Sequence, residues 1–386
     1  MKLLKNEVEK RLVVKLNKSM KDDVSSGIMN YGEFNDYPQI IERLILGSQT
    51  GRACANIFGK FIAGQGFTND AINNINVGKD AYGKDIKLAK LLRQFAQSIS
   101  FFNGAYIHNR FNNDAKIVES KIVQFKNCRL SRIDDNNFCA RIAYSDKFVT
   151  DENKLNSLKS SDLKWYNLFN VSAVQNQIKQ AGGIEKYKGQ IYHFFLDDTY
   201  VYPLSQFDSV YLDLDTEYQI QLFKNREIRN GFSDKVAINI NVLADEETKK
   251  ETIDECHKWI GPDGDKLIIF ENEFDENGLV SEKNFKLDRV STNINDKLFD
   301  GWEKSLPNNI RKSIFALPAV LIDYEQGQLS QASGEMVKQA VNYYNSITDG
   351  IRQSVSESFK EIFVNSNNEI LSKNIDWTIK PIEINL

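Results

Sequence analysis

YPLSQFDSVYLDLDTEYQIQLFKNREIRNGFSDKVAININV, residues 202–242, decides how this chain is organised. Pro203 suits the first turn of a helix, and the residues after it predict a helix running to about Asn230. GFSDKVAININV (231–242) then reads as a strand. LADEETKKETIDECHKWIG (243–261) reads as a short helix. Asp245 is its expected N-cap, with Glu246 and Glu247 in a first turn where the helix dipole favours acids. DKLIIFENEF (265–274) is a second strand, and another helix is expected over about 293–316. A strand–helix–strand module bracketed by two helices describes a small unit carried on a two-helix stalk.

Working outward, YPQIIERLILGSQTGRACANIFGKFIAGQGF (37–67) predicts one helix with an apolar stripe of Ile41, Leu44, Ile45, Cys54, Ile57, Phe58 and Phe61. Gly47 and Gly51 mark a bend or a close helix contact, and Gly64 and Gly66 stop the helix. DIKLAKLLRQFAQSISFF (85–102) is a second helix. AYIHNRF and AKIVESKIVQF, joined by NND, read as a hairpin over 105–125. CRLSRID and FCARIAYSDKF add strands, while 151–190 reads as polar and irregular. LPAVLIDYEQGQLSQASGE (317–335) loses apolar character toward its end, a long helix is expected over 334–364, and DWTIKPIEI (376–384) as a closing strand. The fold class is α+β.

With 41% apolar residues and a formal net charge of −4 over 386 residues, the chain is a folded one with no global nucleic-acid signature, although a local basic stripe can sit on an acidic body. No apolar run approaches the roughly 20 residues that span a bilayer. MKLLKNEVEKRL mixes charge through its apolar positions, so a soluble protein made in a cytoplasm is expected, with no membrane partner. Cys54, Cys128, Cys139 and Cys256 lack metal-ligand spacing and are expected as reduced thiols. His108, His193 and His257 form no ligand-like cluster, so no metal and no cofactor is expected.

Two stretches imitate nucleotide chemistry. VGKDAYGKD (77–85) fills most of G-x-x-x-x-G-K-[ST], but Asp85 replaces the hydroxyl that would hold Mg²⁺. The preceding NDAINNIN is too polar for the buried strand such a loop follows, and Asp85 reads as a helix N-cap. DECH (254–257) resembles a helicase Mg²⁺ box but lies inside an expected helix rather than at the end of an apolar strand. No G-x-S-x-G or H-E-x-x-H signature is present, so catalysis is not expected. Lys297, Lys304 and Arg311 recur every seven residues near one helix face. They are a solvated face, or a stripe meeting a phosphate backbone or a neighbouring subunit's acids.

The order of parts resembles the portal protein family of tailed double-stranded DNA bacteriophages. The stretch 37–67 looks like that family's helix ending in a G-x-G-F element. FFNGAYIHNRFNNDAKIVESKIVQFKNCRLSRID resembles its hairpin and Arg-bearing strand. The stretch 202–242 is similar to its stem helix and the turn before the clip, with Phe223 and Asn225 set apart from Asn230-Gly231. NNIRKSIFALPAVLID (308–323) resembles the step from the second stem helix into the tunnel loop. Residues 151–190 match nothing in that pattern.

The resemblance implies an elongated subunit with an α/β wing (1–202), stem helices (203–230 and 288–316), a small β-α-β clip (231–287), a tunnel-loop region (317–333), and a long helix with a returning wing strand (334–386). Little chain follows Ile384, so the crown is expected to be short or absent. It implies a homo-oligomeric ring, normally a dodecamer, at one capsid vertex of the virion. Expected partners are the major capsid protein, the terminase large subunit, a head–tail adaptor and double-stranded DNA passing through the channel. Tyr324, Gln326, Gln328 and Gln331 are expected to face the channel, Lys297, Lys304 and Arg311 to meet DNA or a neighbouring subunit, and Glu246, Glu247, Lys249 and Lys250 to form the clip's docking surface. The competing readings are an ATP-driven packaging or helicase subunit, and another ring or adaptor protein of a phage-like particle.

Overall fold

The computed structural model describes residues 22–23, 27–32, 35–133, 139–148, 160–197, 201–229, 236–241, 267–272, 299–322, 334–373 and 375–384. The chain divides into two compact units, Met1–Leu214 with Pro307–Leu386, and Asp215–Leu306. It passes between them inside two helices, Tyr211–Arg229 and Asp300–Ser313. The architecture is mixed α and β.

In chain order, the first unit holds short strands β1 (Asp22–Asp23) and β2 (Ile28–Met29), then helices α1 (Tyr37–Gly47), α2 (Gln49–Ala63) and α3 (Asp70–Asn73). A hairpin of β3 (Asn76–Lys79) and β4 (Asp85–Lys87) leads into α4 (Leu88–Phe102). The main sheet follows, from β5 (Gly104–Phe111), β6 (Ile117–Val123), β7 (Cys128–Leu130), β8 (Arg141–Tyr144), β9 (Lys164–Leu168) and β10 (Gln190–Phe195). Its order is β6-β5-β10-β9-β8-β7, antiparallel except for the β10–β9 pair. Helix α5 (Val174–Ala181) lies in the chain between those two parallel strands, as such a crossover requires.

One core joins the sheet to the helices. Ile41 and Ile45 of α1, Phe58 and Ile62 of α2, and Leu91, Phe95 and Ile99 of α4 are buried with Ala105, Ile107 and Ile191 of the sheet. Helix α8 (Gly334–Phe363) adds Tyr344, Val355, Phe359 and Ile362, spaced for one helix face. Phe359 meets Phe95 and Phe67 at ring centroid distances of 5.3 and 5.5 Å. Each such fully buried side chain contributes roughly 1.5–3 kcal/mol.

Two buried arginines tie segments together. Arg129 in β7 is wholly enclosed. Its five N–H groups donate to Asn35 Oδ1, to the carbonyls of Lys126 (3.0 Å), Cys128 (2.7 Å) and Asn35 (2.6 Å), and to Gln39 Oε1 (3.3 Å). That fills the guanidinium's whole donor set and fixes the chain before α1 to the sheet. Arg352 of α8 donates to the Phe61 carbonyl (3.2 Å) in the last turn of α2, where the helix dipole favours a cation.

The second unit contains the remainder of α6 (Tyr211–Arg229), strands β11 (Val236–Asn241) and β12 (Leu267–Asn272), and the start of α7 (Asp300–Ser313). The two strands pair in parallel from Val236–Leu267 to Asn241–Asn272, which a tight turn cannot do. The helix expected over 243–261 lies outside the described residues.

Five expectations are corrected. The stretch 37–67 is two helices broken at Ser48, whose hydroxyl accepts the Gly51 N–H at 2.8 Å as an N-cap. Gly51 is needed there, since a Cβ would lie 2.5 Å from Leu214. Asp85 is a strand residue, and Lys87 stands at the N-cap of α4 without a side-chain cap bond. The described part of 151–190 is ordered, contributing β9 and α5 to the sheet. Residues 376–384 make only an isolated bridge, Ile379–Phe67, because their partner is the irregular glycine segment 64–67 rather than a strand. The helix expected from Pro203 is preceded by a 3-10 turn over Gln206–Val210, capped by Ser205.

Candidate functional site

The phosphate-loop imitation is the tip of the β3–β4 hairpin. The backbone N–H groups of Tyr82 and Lys84 both donate to Asp80 Oδ1 at 3.0 Å, and that of Gly83 donates to the Asp80 carbonyl at 3.0 Å. Lys90 reaches the other carboxylate oxygen at 3.4 Å. Partial desolvation pushes the Asp80 carboxyl upward, but the bonds from Lys84, Tyr82 and Lys90 outweigh it and hold it below its usual value. A phosphate cradle needs free N–H donors. Here a resident carboxylate already accepts two of them, and would repel a polyphosphate.

Nothing described assembles a catalytic centre in its place. His193 stacks on Tyr106 at 4.6 Å, and burial pushes it down to about 3, so it stays neutral. His108 bonds the Lys188 carbonyl at 2.7 Å and is likewise lowered by burial. Burial raises the Cys128 thiol far above the thiolate range. No group of His, Cys, Asp or Glu among the described residues could hold a metal ion. A cleft of about 790 Å³ lies among Asn103, Leu204, Asp208, Phe315, Ile351 and Ser354. DECH and its His257 lie outside the described residues.

Of the expected site residues, only Lys304 and Arg311 are described. Tyr324, Gln326, Gln328, Gln331, Lys297, Glu246, Glu247, Lys249 and Lys250 lie outside the described residues. Lys304 is exposed on α7. Arg311, half-buried, turns back along its own helix, donating from Nε to the Pro307 carbonyl at 3.4 Å and from the guanidinium to Asn308 Oδ1. Pro307 lies inside α7 and offers no N–H of its own to the helix.

Within the second unit, α6 and α7 lie against each other. Phe223 meets Phe299 edge-on at 5.3 Å, and Lys224 pairs with Glu303. The exposed ion pair contributes little. Tyr218, Phe223 and Trp302 remain 41%, 38% and 55% exposed, so this helix pair displays large apolar side chains.

No helix among the described residues is long and apolar enough to cross a membrane. No protein-family model matches the sequence, and no curated protein matches it. Solved structures match by fold. A chain in the virion of a native gene transfer agent (GTA) particle aligns with TM-score 0.51 and 12% identity, over 85% of this chain and 80% of that one. A chain from the neck of the empty GTA particle, computed with C6 symmetry, gives 0.51 and 12% over 86% and 82%. One from the neck of the native GTA particle, computed with C12 symmetry, gives 0.51 and 13% over 93% and 86%. An HK97-family phage portal protein from Corynebacterium diphtheriae gives 0.34 and 9% over 77% and 84%, too low a score to bear on the fold. At such identities the likeness is one of backbone arrangement: this chain has the fold of a chain found in the virion and neck of GTA particles.

Proposed function

We propose that this chain is the repeating subunit of a portal ring at one vertex of a phage-type capsid, a structural conduit for packaging and ejecting double-stranded DNA. The observation that carries the reading is the fold match over 93% of this chain to a chain from the neck of the native GTA particle, a neck computed with C12 symmetry. Residues 203–230 and 288–316 would form the stem, 231–287 the clip, 317–333 the tunnel loop, and 1–202 with 334–386 the wing beside the major capsid protein. Glu246, Glu247, Lys249 and Lys250 would then meet the terminase large subunit, and later a head–tail adaptor. Tyr324, Gln326, Gln328 and Gln331 would face DNA, with Lys297, Lys304 and Arg311 as sparse cations. Polar, uncharged channel groups suit sliding, because few fixed phosphate contacts hold the duplex in place. The exposed Tyr218, Phe223 and Trp302 support assembly, as apolar surface that a second copy would cover. The self-bonded hairpin tip supports a motor located in another protein.

Electron microscopy of the purified protein tests the reading. A closed ring with a central channel and about twelve subunits is expected, whereas a monomer at high concentration overturns it. A neck adaptor ring is the second reading, because the matched chains are known by the neck they belong to. Binding to the terminase large subunit separates the two: a portal subunit engages it, an adaptor does not.

A further inference from the structure

Helices α2 and α4 each carry charge of one sign only. Residues 49–69 and 86–102 contain no Asp or Glu, in a chain whose formal net charge is −4. On α2, Arg52, Asn56 and Lys60 recur every four residues and are all exposed. Lys87, at the N-cap of α4, and Arg93, Gln94 and Gln97 on the helix are exposed along the outer side. Gln97 Nε2 donates to Asn56 Oδ1 at 3.4 Å, so the two outer faces are one continuous surface. Gly59 permits that closeness, since a Cβ there would already stand 3.2 Å from Ser100 Oγ. Among the described residues, Arg52, Lys60 and Arg93 enter no ion pair, whereas neighbouring Lys90 is held by Asp80.

We propose that this α2–α4 face binds the phosphate backbone of duplex DNA without reading its sequence. Lys, Arg, Asn and Gln side chains are the groups that contact phosphate and sugar oxygens. Arg52 and Lys60 stand about 12 Å apart along the helix axis, comparable to the width of the major groove, so they can address its opposite edges. A protein partner would call for apolar and aromatic anchors and fewer lysines. None of the large exposed hydrophobic side chains belongs to α2 or α4. The proposal does not depend on a ring.

The test uses the full chain and a mixed-sequence duplex of about 30 base pairs, titrated by fluorescence anisotropy between about 50 and 200 mM NaCl. The variant Arg52→Gln/Lys60→Gln/Arg93→Gln keeps good helix formers and adds no charge. It should weaken binding by about tenfold or more and lower the slope of log K against log salt by about 2–3. Lys179→Gln/Lys186→Gln/Lys373→Gln changes net charge equally at other exposed positions and should leave both values unchanged. Equal losses in the two variants would overturn the proposal, as would wild-type protein that fails to bind at low salt. A change in sedimentation with DNA binding intact would make the face a protein interface instead. Because sedimentation is read separately, failure of the ring and failure of this face give different results.

Discussion

Gly64-Gln65-Gly66-Phe67 and the hairpin tip Asp80-Ala81-Tyr82-Gly83-Lys84 are two glycine-punctuated stretches of one unit, and Gly64 and Gly83 serve them in opposite ways. At the first, backbone meets backbone. The Gln65 N–H donates to the Lys380 carbonyl, and the Lys380 N–H to the Gly66 carbonyl, both at 2.8 Å. A Cβ on Gly64 would lie 2.1 Å from the Lys380 oxygen, and one on Gly66 would lie 2.9 Å from Asn73 Oδ1. At the second, Gly83 has nothing within 4 Å of where a Cβ would point and serves only the turn. The stretch that lacks a famous pattern is the one that holds distant parts of the chain together. Spacing identifies a motif, but contact decides whether a glycine is required.

Gly64→Ala should produce the largest effect. Its φ of +53° already disfavours a side chain, and the clash falls on backbone that cannot swing aside. A loss of about 3 kcal/mol is expected, combining strain with weakened pairing to 378–380. Urea unfolding measures it, and a loss under about 1 kcal/mol would mean that the 64–67 segment yields easily, which would remove the contrast. Gly83→Ala should cost about 1–2 kcal/mol, from its φ of +77° alone. Asn at that position should recover much of the loss, because it tolerates the left-handed region. Equal costs at Gly64 and Gly83 would show that conformation, and not close approach, governs both.

Legibility followed the range of the interactions. Helix α8 was expected over 334–364 and spans Gly334–Phe363, because a long 3.6-residue period is a local signal. The β5–β6 hairpin and strands β11 and β12 were readable for the same reason. Strand β9 was not: Trp165, Tyr166, Asn167 and Leu168 are all half-buried, so no alternation marks it, and parallel β10 arrives from beyond residue 189. Helix α5 buries only Val174 and Ile178, too few positions to stand out in VQNQIKQA. The α2–α4 basic face is not a local signal, because Asn56 and Gln97, which meet across it, lie forty-one residues apart in sequence. Of the nine expected site residues that fall outside the described residues, Tyr324, Gln326, Gln328 and Gln331 came from resemblance alone, whereas Lys297 came from the seven-residue recurrence with Lys304 and Arg311.

Asp85→Ser should produce the smallest effect, and it tests the comparison most directly. The substitution completes G-x-x-x-x-G-K-S and so repairs the one position at which the sequence departs from a phosphate loop. If the motif were the site, ATP with Mg²⁺ should now bind. The hairpin argues otherwise: Tyr82, Gly83 and Lys84 would still donate their N–H groups to Asp80, and β3 would still be a four-residue strand on a surface hairpin rather than the buried strand a cradle follows. Asp85 is exposed at the start of β4, so serine there should leave stability within about 0.5 kcal/mol of the parent. Isothermal titration with ATP and Mg²⁺ should give no heat above dilution for either chain. Saturable binding in the serine variant would show that the Asp80 network opens for a phosphate, and that the two glycine stretches differ less than their contacts indicate.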